Sequence, residues 1–427
     1  MLFIKECKKV ICSMTFVLFV VTVVAMYTTQ YSNGLSTVSE PKPGQGNYGQ
    51  IIREDPQLIM PAAVESLLGE YLSGSYAAYP IGLYKNVRLK ESKRLEMRSV
   101  LEELTGLSGE EIDGFNDFSE AGFFGEGLDE DGNPVMFYQE KVLPEYSLPV
   151  SLTYGRFCEL MGKADDLIGG GSSYAVGTLA SYFGLAPMTY EEALAEYEAM
   201  MAPGELSRAY LRLHCDYMGI DLAVMPVFVA AALWQLDRRA RMQSLIYTRK
   251  SSTARIVGTR YLALVCCMSV PVLLTLLYTV YKVGGMYPQM SIDWGSGLGM
   301  ALLWLLPDIL AVSALGILLT ELFSPLLAIF LQCVWWFISL NATRLTGDVG
   351  RFGLQIRHNS LRYSVLWQSQ EKNFLCNRLA LTALALLCLG LTVWLYEHKR
   401  KGGMAWMNRL FSTMKRGNAE TRKEGEN

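Results

Sequence analysis

A basic cluster between Trp234 and Leu262 holds the side chains that point most directly to a molecular role. Its members are Arg238, Arg239, Arg241, Arg249, Lys250, Arg255 and Arg260. Arginine and lysine bind acidic protein surfaces and the anionic headgroups of lipids. Long apolar runs flank the cluster on both sides, which is unusual for a soluble domain. We therefore interpret this segment as a cytoplasmic helical hairpin at a membrane surface.

The basic segment has the pattern of two short helices. A spacing of i, i+3, i+4 and i+7, typical of an amphipathic helix face, is found for Met242, Leu245, Ile246 and Arg249. Residues 251–253 supply hydroxyls that can cap a second helix running through Arg260 into the membrane. The arginines either fix the topology by contacting anionic lipid or bind a partner protein. Topology alone does not require an apolar stripe and a newly capped helix, so we favour partner binding.

The sequence contains no recognisable catalytic or metal-binding motif. Three histidines occur without HExxH and nine cysteines without CxxC, which argues against a zinc site. The glycine-rich stretch 169–173 lacks the lysine of a P-loop, and the acidic stretch 128–140 has its glycine too early for a calcium loop. We expect no catalytic residues, metal or cofactor in this chain. A disulfide between Cys158 and Cys215 is an alternative to the favoured free thiols.

Two charged residues lie within apolar runs. Asp308 follows Pro307, and a carboxylate at this depth normally faces the bundle interior or water. It either lines a transport path, or satisfies polar groups freed by the proline, or lies nearer the interface. Arg378 lies at the start of the last apolar run, where we expect its side chain to extend to the membrane interface.

The composition indicates that much of the chain contacts lipid. Hydrophobic residues make up 51% and charged residues only 19%, whereas soluble proteins carry about 25% charged residues. A helix needs about 20 apolar residues to cross the hydrocarbon core of a bilayer. We predict a mainly α-helical, polytopic membrane protein with six transmembrane helices. They lie within 1–28 and at about 217–236, 259–281, 296–319, 325–343 and 376–396, with a tight reversal at 321–324 between the fourth and the fifth.

Residues 29–208 are predicted to form a large, mostly helical extracellular domain. From Gln30 to Arg208 there are 28 acidic and 12 basic residues, whereas the rest of the chain has 13 acidic and 26 basic. The patterns Ser108-x-x-Glu and Thr189-x-x-Glu are capping boxes that begin helices. The turn sequence at 131–134 leads into a predicted strand.

The distribution of basic residues predicts the orientation in the membrane. Residues 1–9, the basic cluster and the tail after Tyr396 carry 3, 7 and 8 lysines or arginines, and six spans place all three in the cytoplasm. Both termini are then cytoplasmic. We predict helices 2–6 within 209–400, the cytoplasmic hairpin at 237–258 and a basic cytoplasmic tail at 401–427.

The membrane part of the chain resembles the permease subunit of ABC-2 type exporters. The resemblance rests on the order of the six spans and on three segments, at 237–264, 305–325 and 374–387. It implies that the loop after the second span is a coupling helix bound in a groove of a separate ATPase. The resemblance gives this role to Arg238, Arg239, Arg241, Met242, Leu245, Ile246 and Arg249. The short N-terminus leaves little room for the amphipathic helix that many relatives have before their first span.

The resemblance also implies the partners and the location. The chain would be a transport subunit and not an enzyme, with ATP and Mg²⁺ used by an ABC ATPase subunit. Six spans would pair with a second permease chain, as a homodimer or heterodimer, in a bacterial plasma membrane. We expect contact with the lipid bilayer and with no nucleic acid. The alternatives are a sensor or receptor whose extracellular domain binds a peptide or ion, and a membrane-anchored external enzyme or adhesion module.

Overall fold

The computed structural model describes residues 2–80, 84–114, 124–128, 134–138, 146–242, 246–248, 250–342, 353–356, 361 and 364–401. The fold is mainly helical and has few strands. It comprises two compact units, one formed by residues 1–39 and 196–427 and the other by residues 40–195. We call them the helical bundle and the inserted unit. The predicted boundary near residue 208 lies thirteen residues further along the chain than the observed one.

The bundle begins with two separate helices. They are α1 (Leu2–Ile11) and α2 (Met14–Met26), and the side chain of Ser13 accepts a hydrogen bond from the Phe16 amide to start the second. Helix α1 is amphipathic: Phe3, Cys7 and Val10 follow one another at i, i+4 and i+7 on one face, whereas its three lysines lie on the opposite face. The expectation that the N-terminus is too short for an amphipathic helix is therefore wrong.

The inserted unit has its own hydrophobic core. Its helices are α3 (Pro56–Ser73), α4 (Glu91–Thr105), α5 (Gly109–Asp113), α6 (Tyr154–Ile168), α7 (Leu179–Phe183) and α8 (Tyr190–Met201), the last of which runs into the bundle. Both predicted capping boxes are present: Ser108 and Thr189 each exchange hydrogen bonds with the glutamate three residues on. The core is formed by apolar faces of the longer helices, with Leu67, Leu101 and Met161 fully buried.

The strands of the inserted unit form three short antiparallel pairs. They are β1 (Gln50–Ile52) with β6 (Leu185–Pro187), β2 (Tyr76–Ala78) with β3 (Lys85–Val87), and β4 (Phe124–Leu128) with β5 (Pro134–Tyr138). The strand predicted over 135–142 is confirmed as far as Tyr138, where β5 ends, whereas residues 139–142 and 131–133 of the turn before it lie outside the described residues. The glycine-rich stretch 169–173 follows the end of α6, and its Gly171 has a φ of +76° and would place an added Cβ 2.8 Å from the Pro80 backbone.

The remaining bundle helices supply the apolar segments. They are α9 (Glu205–Leu222), α10 (Met225–Trp234), α11 (Leu236–Arg239), α12 (Thr253–Met286), α13 (Trp294–Leu322), α14 (Pro325–Ala342) and α15 (Ser364–Arg400). Among the described residues, four helices are long and apolar enough to cross a membrane, or five if a bent pair is one span. The predicted cap at Ser252, which accepts from the Arg255 amide, and the tight reversal before Pro325 are both confirmed.

The second predicted span is bent and longer than expected. Helix α9 and the segment Met225–Arg239 meet at an angle of 42°. The continuous helix predicted at 217–236 is therefore wrong, because Pro226 in the first turn of α10 cannot donate a backbone hydrogen bond to α9. Helix α14 supplies donors to the joint: Gln332 Nε2 lies 2.7 Å from the Ala223 carbonyl oxygen, and Trp336 Nε1 lies 2.9 Å from that of Ile220.

Polar contacts at one end of the bundle join helix ends that are distant in the sequence. The Ser207 hydroxyl donates to the Asp293 carbonyl at 2.6 Å, which joins α9 to the start of α13. The hydroxyls of Tyr210 and Tyr287 lie 2.9 Å apart, next to the end of α12. These contacts place the start of α9, the end of α12 and the start of α13 at one end of the bundle.

Asp113 joins three helices of the inserted unit and makes their contact sensitive to pH. Its carboxylate accepts from Tyr71 of α3 and from Arg98 of α4, each at 2.7 Å. Burial raises the pKa of Asp113, but these hydrogen bonds and the nearby arginine charges together lower it by a larger amount. The pKa therefore lies below its ordinary value. A carboxyl group with a depressed folded-state pKa contributes stability above its unfolded-state pKa, and that stability is lost as the pH falls through the folded-state value.

We therefore expect protection of α5 amides to fall as the pH drops below about 4. In Asp113→Asn, protection should already be lower at neutral pH and should fall little on acidification. Hydrogen–deuterium exchange of the full chain, corrected for intrinsic rates, measures this. The matched control is Glu110→Gln, at an exposed carboxylate of the same helix. Equal loss of protection in the native chain and in Asp113→Asn on acidification would contradict the prediction.

Candidate functional site

A buried carboxylate at the end of α13 anchors the base of the basic hairpin. The Glu321 side chain is 1% exposed, and its Oε2 atom lies 2.7 Å from both Trp234 Nε1 and an Arg238 guanidinium nitrogen. Its Oε1 atom lies 2.6 Å from Lys399 Nζ of α15. We call these four residues the Glu321 cluster. The cluster joins α10, α11, α13 and α15, because one carboxylate neutralises two cations from different helices.

The end of α15 also holds the far side of the hairpin. Arg400 donates to the carbonyl oxygens of Tyr247 and Ser251, at 2.9 and 2.8 Å. Glu397 accepts a short hydrogen bond from the Thr253 hydroxyl, at the first residue of α12. Both the start and the end of the hairpin are therefore bound to the C-terminal ends of α13 and α15.

A third group of charges joins the hairpin to α1. Arg260 of α12 forms an ion pair with Asp237 of α11, and its Nε atom lies 3.8 Å from a Glu6 carboxylate oxygen. Glu6 in turn lies 2.9 Å from Lys9 Nζ. The guanidinium of Arg260 also lies over the Trp234 ring, 5.9 Å from its centre. Together these residues border a small pocket of about 30 Å³, which is large enough for ordered water.

The predicted partner-binding residues separate into inward and outward groups. Arg238 faces inward to Glu321, whereas Arg239, Arg241 and Met242 are exposed. Arg241 has a φ of +53°, so the chain turns sharply after α11. Ile246 is partly buried in a helical turn. Leu245 and Arg249 lie outside the described residues, so the full amphipathic face stays a prediction.

An ion pair lies fully inside the bundle. Arg378 of α15 donates to Asp308 Oδ1 of α13 at 2.9 Å, and both side chains are 0% exposed. Arg378 also donates to the carbonyl oxygens of Trp304 and Leu354, at 2.9 and 3.2 Å. The expectation that Arg378 extends to the interface is wrong, because Asp308 provides a countercharge within the bundle. Asp308 faces the bundle interior, and the alternatives for its role stay predictions.

A short irregular segment lies beside this ion pair. Leu354, Gln355 and Ile356 are at most 2% exposed, although they belong to no helix or strand. Asn377 Nδ2 donates to the Gly353 carbonyl at 2.9 Å, and the Leu354 amide lies 3.4 Å from the Ser339 hydroxyl. Irregular backbone inside such a bundle requires side chains of this kind as hydrogen-bonding partners.

Sequence reasoning missed a set of buried polar residues on α9. They are Arg212, His214, Asp216 and Asp221, each at most 8% exposed. His214 Nδ1 lies 3.2 Å from the Thr279 hydroxyl, and its ring packs against Tyr27 and Tyr31. These residues precede or begin the apolar run from which the span was predicted. Four ionisable residues within ten positions, at the start of an apolar run, were the available signal.

Within the described part of the chain, no group of three histidine, cysteine or acidic residues could hold a metal ion. Cys158 and Cys215 are both free thiols. We found no family model, curated protein or solved structure that matches this chain. The function is therefore argued from the geometry of the hairpin and of the bundle interior.

The buried ion pair predicts a non-additive effect on stability. Arg378→Leu leaves the Asp308 carboxylate without its countercharge, which costs about 3–5 kcal/mol for buried pairs. The double variant Asp308→Leu/Arg378→Leu should be less destabilised than Arg378→Leu alone. Unfolding of the purified chain by SDS in mixed micelles measures the four free energies of the cycle. Strictly additive losses would contradict a direct interaction between the two side chains.

The Glu321 cluster predicts that one carboxylate controls the order of the hairpin base. Glu321→Gln removes the charge shared by Arg238 and Lys399, so exchange should rise in residues 236–242 and 396–401. Hydrogen–deuterium exchange of the chain in detergent measures the change. Glu371→Gln, at an exposed position near the opposite end of α15, is the matched control and should leave both segments unchanged. Equal exchange in Glu321→Gln and the native chain would show that the cluster does not order the hairpin.

Proposed function

We propose that this chain is the permease subunit of an ATP-driven exporter of the ABC-2 type. In this proposal a separate ABC ATPase binds the outer surface of the basic hairpin. Closure of two ATPase subunits on ATP pushes the hairpins, and the spans change access to the substrate. Since six spans form half of such a transporter, a second permease chain completes it.

The arrangement of helix ends supports six crossings. The four long helices and the bent pair account for five. Helix α14 has 18 residues, which at 1.5 Å per residue is about 27 Å and close to the thickness of the hydrocarbon core. With cytoplasmic termini, alternating crossings bring the ends of α11, α13 and α15 and the start of α12 to one membrane face. These are the ends that the Glu321 cluster and Arg400 join.

The single observation that carries the proposal is the attachment of the hairpin to the spans. Glu321 of α13 binds the start of the hairpin, and Arg400 of α15 binds the part nearer its end. A force applied at the hairpin would therefore act on these spans directly. An arginine cluster that only contacted lipid headgroups would need no such anchoring. The exposed Arg239, Arg241 and Met242 then remain available for a partner.

The inserted unit supports the extracellular placement. Residues 40–195 form a compact unit with their own core, and the same region carries most of the acidic residues of the chain. A long domain can translocate whatever its charge, so with a cytoplasmic N-terminus this unit, which follows the first span, would lie outside. We propose that this unit faces outward and that the chain lies in a bacterial plasma membrane.

The outward arginines give the sharpest test. In the double variant Arg239→Glu/Arg241→Glu, an ATPase that co-purifies with the native chain in mild detergent should be recovered at least tenfold less, because two attractive charges become repulsive. Quantitative mass spectrometry of the purified complex measures the ratio. Lys85→Glu/Lys90→Glu makes the same change of charge at exposed residues of the inserted unit and is the matched control. Failure of the native chain to retain any ATPase, or equal retention by both double variants, would reject the proposal.

A further inference from the structure

The irregular segment 353–356 is held mainly through its backbone. Asn377 and Arg378 bind the carbonyl oxygens of Gly353 and Leu354, and Ser339 lies within reach of the Leu354 amide. Each of these three partners is a side chain of a bundle helix. Ser339 of α14 and Asn377 and Arg378 of α15 thus line the place that this segment takes in the bundle, which we call the cleft, and their polar groups bind its backbone.

The cleft has hydrogen-bonding capacity that the segment does not use. Among the described residues, Arg378 Nε and Asp308 Oδ2 are buried and have no hydrogen-bonding partner. A guanidinium and a carboxylate can form two parallel hydrogen bonds, but this pair forms one, through a terminal nitrogen of the guanidinium. The spare donor and the spare acceptor are the two groups that complement a peptide C=O and N–H.

The charge balance of the cleft favours a neutral ligand. Asp308 compensates Arg378 within the bundle, so a bound anion or cation would add an uncompensated charge to an apolar interior. A peptide backbone adds paired polar groups and no net charge. The side chains of Leu354 and Ile356 lie in the bundle core, which provides apolar surroundings for alternate side chains of a ligand.

The internal segment is an imperfect occupant. Gln355 is 2% exposed, and neither its amide nitrogen nor its amide oxygen has a partner among the described residues. Burying an amide group without hydrogen bonds is unfavourable. A peptide with a residue better suited to this position would therefore compete with the segment.

We propose that this cleft is a binding site for peptides, and that residues 353–356 occupy it as an internal ligand. The ligand is a short, uncharged stretch of polypeptide with apolar side chains at alternate positions. This inference rests on the proposed function, because it names the substrate class of the transporter. The internal segment satisfies only some of the polar groups of the cleft until a peptide replaces it.

The test uses the full chain and a defined probe. The probe is the acetylated and amidated tetrapeptide Gly-Leu-Gln-Ile with a photoreactive leucine. We expect saturable labelling of α14 or α15, located by mass spectrometry and suppressed by excess unlabelled peptide. In Leu354→Pro, which lacks the amide that faces Ser339, the internal segment binds less well. The apparent affinity for the probe should then rise about tenfold, because more of the protein has an open cleft.

Two comparisons separate backbone recognition from general apolar binding. N-methylation of the leucine amide in the probe removes one donor and should weaken labelling of the native chain about tenfold. Asn377→Ala should weaken labelling to a similar extent when it is added to Leu354→Pro, because the internal segment, which Asn377 also holds, then competes little. The matched control is Thr382→Ala, one turn further along α15, where the hydroxyl bonds only to the Arg378 carbonyl among the described contacts. This control should label as the native chain does.

Two outcomes would overturn the inference. One is labelling that excess peptide does not suppress. The other is labelling that neither N-methylation of the probe nor Asn377→Ala weakens. In either case segment 353–356 is a structural element only. The assay contains no ATPase, so its result is independent of the co-purification test. Peptide binding without a co-purifying ATPase supports the cleft and rejects the proposed function, whereas an ATPase without peptide binding does the reverse.

Discussion

Every charge and every irregular backbone group inside the bundle must find its partner within the chain. An unpaired polar group in an apolar interior costs several kcal/mol, and in a bilayer no water is present to replace the missing partner. The pairing of Asp308 with Arg378, the cluster around Glu321 and the capping of the α9–α10 joint are three solutions to this constraint. Each one joins helices that are far apart in the sequence. The polar interactions therefore determine which helices are held together.

The constraint also explains how far the sequence could predict the fold. Ser252 as a helix cap, the reversal before Pro325 and the two capping boxes were predicted correctly, because each depends on residues within a few positions. The positions of most apolar helices followed from hydropathy for the same reason. The predictions that failed depended on distant partners. Arg378 was expected at the interface because its partner lies 70 positions away, and the polar half of the bent span was missed because hydropathy alone marks its apolar half.

The candidate site was predictable in composition but not in arrangement. The sequence marked Arg238, Arg239 and Arg241 as one basic group, yet only the last two are exposed. Glu321 was seen only as part of a tight turn, although it is the residue to which the hairpin is bound. The charge pattern of the sequence shows how many basic residues lie in this segment. To predict how the hairpin is anchored, one must also know which of them pair with a carboxylate. The division between structural and exposed arginines is therefore a property of the three-dimensional fold.

The joint between α9 and α10 restricts how the bundle can move. Two carbonyl groups at this joint accept hydrogen bonds from Gln332 and Trp336, which both belong to α14. Changing the 42° angle would break these two hydrogen bonds unless α14 followed the motion. The bent pair and α14 thus behave as one mechanical unit of three helices. In any conformational cycle, the low-energy relative motion is expected between this unit and its neighbours, with the bend itself preserved.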